Sequence, residues 1–195
     1  MGLSTSRELK TKHVRILMLG LDGAGKSTLL YKLKFSNTEF VTASTVGFNV
    51  EMLQRGKSIA LTVWDVGGQS KMRQLWPFYF QDTDALMFVV DCADTQRMEA
   101  SRIEFERVLK HKCLKGIPVV IIANKQDLKG AFSAEQITRS FHLKRSCSDR
   151  DWYVQPCCAK TGEGSSMAFD ILISLVKKKM PSKDEGSHTK IQEDR

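Results

Sequence analysis

The sequence lacks the features that mark secreted, disulfide-bonded or membrane-spanning proteins. Its five cysteines are odd in number, contain no C-x-x-C pair and outline no disulfide framework, which favours a reducing compartment. No apolar run approaches the roughly 18 residues of a membrane-spanning helix. The first dozen residues are polar and basic, unlike the apolar core of a secretory signal. We therefore predict an intracellular protein.

The composition is that of one soluble globular domain, with 42% hydrophobic and 27% charged residues in a chain of 195. The formal net charge of +8 raises the question of an anionic partner. Zinc-finger spacing and an aromatic-basic RNA-binding signature are both absent, so we predict no nucleic-acid partner. A solvated basic surface and a membrane-facing surface both remain open.

One stretch, Gly20 to Ser27, reads GLDGAGKS and fits the phosphate-binding pattern G-x-x-x-x-G-K-[ST]. Its glycines let backbone N–H groups turn inward around a polyphosphate. Lys26 is expected to reach the β- and γ-phosphates, and Ser27 to bind Mg²⁺. An apolar strand precedes the stretch and a helix follows it, which is the order such a loop requires. The nucleotide-binding residues predicted here are Asp22, Gly23, Ala24, Gly25, Lys26, Ser27 and Thr28.

Two later segments are predicted to sense the γ-phosphate. Thr45 can close over it and give Mg²⁺ a second oxygen ligand. Asp65 ends a buried strand, where a carboxylate is costly unless it faces a cation, so we place it beside the Mg²⁺ shell. Gly68 is expected to donate its N–H to the γ-phosphate, and Gln69 to orient the attacking water as the catalytic residue. Loss of the γ-phosphate would therefore release both segments.

Two further motifs predict recognition of guanine. Asp127, in Asn-Lys-Gln-Asp after a buried strand, can accept from both N1–H and the 2-amino group of guanine, a donor pair that adenine lacks. Asn124 is expected to tie the base-binding loop together, while the Lys125 stem covers the ring. In the segment that follows the last strand, the N–H of Ala159 suits guanine O6, and Lys160 is expected to lie beside the ring. The predicted base-binding residues are Asn124, Lys125, Asp127, Cys158, Ala159 and Lys160.

The elements around these motifs alternate between strands and helices. Strands are predicted over 13–19, 48–53, 59–64, 85–90, 119–123 and 152–155. Helices are predicted to begin at Ser27, near Arg97 and after a capping box at Ser133, with a last amphipathic helix that carries Leu172. Pro77 should interrupt any helix over 70–80.

Taken in order, GLDGAGKS, TVGFNVE, WDVGGQ, NKQD and CAK resemble the ADP-ribosylation factor and ARF-like branch of small GTPases, over about residues 13–180. The resemblance implies an α/β P-loop NTPase fold of the small-GTPase type, a six-stranded, mostly parallel sheet flanked by helices. It also implies GTP/GDP and Mg²⁺ as ligands, and GTP hydrolysis that is slow without an activating protein. The partners it implies are exchange factors, activating proteins and effectors that bind a monomer in its GTP state.

The resemblance further implies a link to membranes. Phe48, Trp64 and Tyr79 correspond to an exposed hydrophobic effector patch, and the hairpin that carries the first two is expected to slide on GTP binding and displace a lipidated N-terminal segment. Gly2 follows Met1 in a pattern for N-myristoylation, with basic residues after it as a second membrane signal. We expect a cytoplasmic protein that associates peripherally with vesicle or Golgi-type membranes and recruits effectors in trafficking.

The predicted organisation is a flexible, myristoylated segment over 1–12, a GTP-binding domain over 13–180 and a disordered tail over 181–195. The sequence departs from the family pattern at Ser44, where proline is usual, and at Gly23 and Ser70. These departures leave open a second interpretation of the function, in which the protein is a scaffold that holds nucleotide without cycling. A third interpretation is a nucleotide kinase, which the guanine-specific motifs disfavour. No arginine is evidently supplied in cis to the phosphates.

Overall fold

The computed structural model describes residues 11–35, 45–56 and 58–179, and the predictions for 1–10, Ser44 and 180–195 lie outside them. Six strands form one sheet in the order β2-β3-β1-β4-β5-β6, in which β2 runs antiparallel to β3 and the other neighbours are parallel. The predicted fold class is therefore confirmed. The strands are β1 (Lys12–Leu19), β2 (Phe48–Arg55), β3 (Ile59–Val66), β4 (Ala85–Asp91), β5 (Val119–Asn124) and β6 (Trp152–Pro156).

Helices cover both faces of the sheet. They are α1 (Lys26–Lys34), α2 (Ser70–Arg73), α3 (Met98–Leu109), α4 (Ala134–Ser140), α5 (Leu143–Ser146) and α6 (Ser165–Lys179), with 3₁₀ turns at Trp76–Tyr79, Thr95–Arg97 and Lys112–Leu114. The capping box before α4 is confirmed, because Ser133 and Gln136 exchange side-chain-to-backbone hydrogen bonds. Sequence periodicity missed α5, whose four residues are too few to show a helical repeat.

The core lies in two layers, one on each side of the sheet. Phe88 and Phe105 are fully buried in the layer beneath α3, and Leu29 and Phe169 in the layer beneath α1 and α6. β4 and β5 are buried almost throughout, and β1 is buried from Ile16 onward, as expected of parallel strands covered on both faces. Within the described residues, no helix is long and apolar enough to span a membrane.

Strand register brings the predicted motifs to one edge of the sheet. Asp65 lies near the end of β3, where it pairs with Met18 of β1, and Asp91 ends β4, where it pairs with Asn124 of β5. These polar residues therefore all lie at the carboxyl ends of parallel strands. The loop after β1 continues from the same edge. Ligands of open α/β sheets bind outside the carboxyl ends of the strands, and this edge is therefore where a site is expected.

Candidate nucleotide-binding site

A cavity of about 260 Å³ opens at this edge. It is lined by residues of the phosphate-binding loop, by the two predicted sensor segments and by one residue of the base-binding motif. These residues are Asp22, Gly23, Gly25, Lys26, Ser27, Thr28, Thr45, Gly68, Gln69 and Lys125. The fold thus brings together four segments that are far apart in sequence.

Two glycines are required here by close backbone approaches. Gly25 has a φ of +92°, and a Cβ on it would lie 2.3 Å from Asn124 Nδ2. A Cβ on Gly68 would lie 2.3 Å from the carbonyl oxygen of Gly20, so the segment that follows β3 packs directly against the phosphate-binding loop. Any larger residue at either position would push two walls of the cavity apart.

Lys26 begins α1 and is buried, yet it still lines the cavity. Its Nζ donates to the carbonyl oxygens of Gly20 and Leu21, each at 3.0 Å. Burial lowers the pKa of Lys26, while the nearby carboxylates of Asp65 and Asp22 act in the opposite direction. The ammonium is therefore held in place by the loop itself and needs an anion to offset its desolvation.

Three oxygen-bearing side chains converge beside Lys26. Ser27 Oγ donates to Asp65 Oδ2 at 2.5 Å and lies 2.6 Å from Thr45 Oγ1. Asp65 is fully buried, burial raises the pKa of its carboxyl group, and its Oδ1 has no hydrogen-bond partner. A buried carboxylate oxygen with no donor is satisfied by a cation or by the water that a cation holds. This set of hard oxygen donors fits Mg²⁺.

The two predicted sensor segments are joined to each other. Gly67 N–H donates to the carbonyl oxygen of Gly47 at 2.9 Å. The buried Trp76 donates from Nε1 to the carbonyl oxygen of Gly67 at 3.0 Å. Gln69 is exposed on the cavity wall at the start of α2. Because of these bonds, a shift of one segment is transmitted to the other.

Asn124 links three loops from a buried position. Its Nδ2 donates to the carbonyl oxygen of Ala24 at 2.7 Å, and its Oδ1 accepts from the N–H of Ala159 at 2.9 Å. The predicted partner of that N–H was guanine O6, whereas here the amide donates to Asn124. The side chain of Asn124 thus holds the Cys158–Lys160 loop against the phosphate-binding loop.

The remaining base-motif residues lie around the outer part of this edge. Asp127 is exposed, and its Oδ1 accepts from Cys158 Sγ at 3.2 Å. Lys125 has a positive φ of 64° and pairs through Nζ with Asp91 Oδ2 at 2.6 Å, which fixes the course of its stem. Lys160 is exposed and does not line the cavity. Sequence reasoning missed Asp91, which anchors Lys125 from the neighbouring strand.

Two arginines reach the phosphate-binding loop or the segment packed against it. Arg97 Nη1 donates to Asp22 at both its backbone oxygen and Oδ2, each at 3.2 Å, and its Nε pairs with Asp94 at 2.5 Å. Arg73 Nη1 donates to the carbonyl oxygen of Gly68 at 3.0 Å and lies 3.9 Å from Asp22 Oδ1. The one sequence signal for this cluster is the spacing of Asp94 and Arg97, which is typical of a helix cap.

An aromatic cluster lies beside the sensor segments. Phe48 stacks on Trp64 with ring centroids 5.3 Å apart, and Tyr79 contacts both rings at 5.4 and 6.2 Å. Phe48 is half-exposed, while Trp64 and Tyr79 are partly buried. The guanidinium of Arg15 lies 4.0 Å over the Trp64 ring. Gly2, the predicted lipidation site, lies outside the described part of the chain.

A phosphate-binding loop, the bond from Ser27 to the buried Asp65 and the Asn124 link on this sheet are typical of a small GTPase. The sequence profile of the ADP-ribosylation factor family matches residues 3–176. The chain belongs to the ADP-ribosylation factor family and is an ARF-like small GTPase.

Individual relatives agree with this assignment. The chain is 56% identical to ADP-ribosylation factor-like protein 14 of Mus musculus over 178 residues, which cover 91% of this chain and 92% of the relative. It is 48% identical to ADP-ribosylation factor K of Dictyostelium discoideum over 159 residues, covering 82% and 83%. The solved structure of the Arl6 BBS3 small GTPase from Trypanosoma brucei, with the nucleotide analogue GppNp bound, matches with a TM-score of 0.79 at 30% identity and covers 87% of this chain and 100% of that one.

Proposed function

We propose that this chain is a molecular switch that alternates between GDP-bound and GTP-bound states and hydrolyses GTP slowly. The observation that supports this most is the composition of the cavity wall. One side is the phosphate-binding loop, and the other is formed by Thr45 and the Gly68–Gln69 segment, which are linked to each other through Gly47 and Gly67. A ligand that contacts both sides orders two segments whose positions are coupled.

On the phosphate side, Lys26 would bind the β- and γ-phosphates, and the amide of Gly68 would donate to the γ-phosphate. Ser27 and Thr45 would be the protein ligands of Mg²⁺, with Asp65 holding its shell through the unpaired Oδ1. When bound, Mg²⁺ would neutralise charge on the phosphate oxygens. Gln69 would orient the hydrolytic water from the open wall of the cavity.

On the base side, Asp127 would accept from N1–H and the 2-amino group of guanine. Asn124 would keep the Cys158–Lys160 loop in place, with Lys160 beside the ring and the Lys125 stem over it. The N–H of Ala159 would have to be shared between Asn124 and guanine O6. In support of a bound guanine nucleotide, the structurally similar Trypanosoma protein is described with GppNp.

We further propose that a nucleotide-exchange factor, an activating protein and effectors act on this switch. Effectors that recognise the GTP state would bind Phe48, Trp64 and Tyr79, which already form a contiguous, partly exposed aromatic surface next to both sensor segments. An acylated Gly2 would hold the protein at vesicle or Golgi-type membranes, where it would recruit effectors in trafficking.

Single-turnover hydrolysis tests the switch. The chain is loaded with GTP and Mg²⁺, and phosphate release is followed for the wild type and for Gln69→Leu. We expect slow but complete turnover by the wild type and at least about tenfold slower release by the variant, because an aliphatic side chain cannot orient water. Both proteins should retain GTP equally well, since the Gln69 side chain forms no hydrogen bond or ion pair within the described residues.

The same measurement separates the switch from a scaffold. If neither protein releases phosphate, even with candidate activating proteins present, while both retain GTP, the scaffold is correct and the switch is wrong. Transfer of the γ-phosphate to a nucleoside monophosphate would instead indicate a kinase.

Arg97 provides a second test of the site. We expect Arg97→Ala to release GDP several-fold faster, because removing a charge-assisted donor from the backbone oxygen of Asp22 costs on the order of 1 kcal/mol at a half-exposed position. Release of a fluorescent GDP analogue measures the effect. Arg102→Ala is the matched control, since Arg102 pairs with Glu99 and Glu106 on the same helix. Equal release rates for both variants would exclude a restraint by Arg97.

A further inference from the structure

The end of the sheet opposite the nucleotide site carries a concentrated positive charge. Six exposed basic side chains there form no ion pair in the described part of the chain, and the whole chain has a formal net charge of +8. These six residues, which we call the basic face, are Lys110, Lys112, Lys115, Lys144, Arg145 and Lys177. The fold brings these cations to one end of the sheet from three separate segments of the chain.

Most acidic groups beside the basic face are already neutralised, whereas Asp82 and Asp84, just before β4, lie near Arg15 and form no ion pair within the described residues. Glu106 pairs with Arg102 at 2.6 Å, Asp149 with Arg150 at 2.8 Å and Asp151 with Lys178 at 3.1 Å. The carboxyl ends of α3 and α6 add about half a negative charge each, which is small against six unpaired cations. The basic face therefore keeps a strong positive potential that attracts an extended anionic surface.

Hydrogen bonds join the segments that carry the basic face. Arg150, whose side chain is only 3% exposed, donates to the carbonyl oxygens of Leu114 and Leu109 at 2.8 and 3.3 Å. Lys179 Nζ donates to the carbonyl oxygen of Gly116 at 2.9 Å. The end of α3, the loop before β6 and the end of α6 are thus held together, and the cations they carry keep their relative positions.

The position of Lys12 indicates which anionic surface fits. Because β1, β4, β5 and β6 are parallel, Lys12 at the start of β1 lies at the same end of the sheet as the basic face. Gly2 precedes Lys12 by ten residues, a reach of at most about 35 Å. A single myristoyl chain holds a membrane only marginally and needs a second signal, which a cluster of basic side chains can supply.

We propose that the basic face is a docking surface for an anionic lipid bilayer. The inference deepens the proposed membrane association, but it depends neither on acylation of Gly2 nor on GTP hydrolysis. Each basic side chain near an anionic surface strengthens binding about fivefold. The face would orient the chain with its nucleotide site and aromatic cluster directed away from the lipid, where soluble partners have access.

Vesicle sedimentation tests the proposal. The unacylated 195-residue chain is mixed, at low ionic strength, with vesicles of phosphatidylcholine alone or with added phosphatidylserine. We expect binding only to the anionic vesicles, weakened by salt because exposed charges are screened. The triple variant Lys110→Gln, Lys144→Gln, Arg145→Gln should bind about a hundredfold more weakly.

The matched control removes three exposed basic side chains at the nucleotide end of the sheet, Lys71→Gln, Lys129→Gln and Lys160→Gln, and should bind the anionic vesicles nearly as well as the wild type. Equal losses in both triple variants, or binding to phosphatidylcholine alone, would overturn the proposal. So would binding of poly-glutamate, but not of anionic vesicles, which would point to an acidic protein partner. GTP retention and hydrolysis of the basic-face variant should match the wild type, so failure here is distinguishable from failure of the switch.

Discussion

Lys26→Met is expected to weaken the binding of both GDP and GTP by about a thousandfold. Removing one member of a buried, charge-assisted pair typically costs about 2–5 kcal/mol. A thousandfold loss of affinity corresponds to about 4 kcal/mol, which lies within this range. Lys26 is 6% exposed, so little solvent screens its ammonium from a phosphate in the cavity. Methionine keeps the stem and removes only the charge. Equilibrium competition against a fluorescent guanine nucleotide measures the change.

The fold itself should tolerate this substitution. Burial lowers the pKa of Lys26, which means that the nucleotide-free protein already bears a desolvation cost for the ammonium. Because Lys26 itself lines the cavity, water from the cavity can replace its ammonium beside the two carbonyl oxygens. We therefore expect the free energy of unfolding without nucleotide to change by less than about 1 kcal/mol. Lys34→Met on the same helix, at an exposed ion pair, is the control and should leave nucleotide affinity unchanged.

A loss of affinity below about tenfold for Lys26→Met would contradict the phosphate role of Lys26. A large loss of stability without nucleotide would instead show that the ammonium mainly holds the loop together.

The parts of this site that the sequence predicted are those whose chemistry is local. The glycines, Lys26 and Ser27 belong to one short motif, and an aspartate at the end of an apolar strand needs a cation or donor wherever it occurs. Strand and helix order followed from hydropathy alone, because parallel strands buried on both faces are continuous apolar runs. These features required no knowledge of which elements are neighbours.

What the sequence could not predict depends on pairs that are distant in the chain. Arg97 is 75 residues from Asp22, and Asn124 is 100 residues from Ala24, so no spacing rule relates them. The amide of Ala159 was predicted to be open for a base, and its use by Asn124 follows only from the packing of two loops. The same is true of the basic face, whose cations come from separate segments joined by Arg150.

Asp127→Asn is expected to change the preferred base from guanine to xanthine. A carboxylate accepts from both N1–H and the 2-amino group of guanine, whereas an asparagine amide can accept from N1–H and donate to the 2-oxo group of xanthine. A site whose polar groups are left unpaired rejects the wrong ligand by on the order of 10⁴-fold, so we expect the preference to reverse on that scale. Competition of GDP and XDP for each protein measures it.

Two controls define the origin of the reversal. Asp127→Ala should weaken GDP binding without gaining XDP, since it offers neither an acceptor nor a donor. Cys158→Ala should change the preference little, because the thiol is only a weak donor to Asp127 Oδ1. If Asp127→Asn still prefers GDP, base recognition must reside elsewhere on this edge.

The Asp127→Asn variant also separates recognition of the base from catalysis. Asp127 is exposed and is not among the residues that line the cavity beside Lys26, Ser27 and Gln69. Once XTP is bound, the Asp127→Asn variant should therefore release phosphate at close to the rate at which the wild type hydrolyses GTP. A much slower reaction with saturating XTP would show that the Asn124–Ala24 link transmits the position of the base to the phosphate-binding loop.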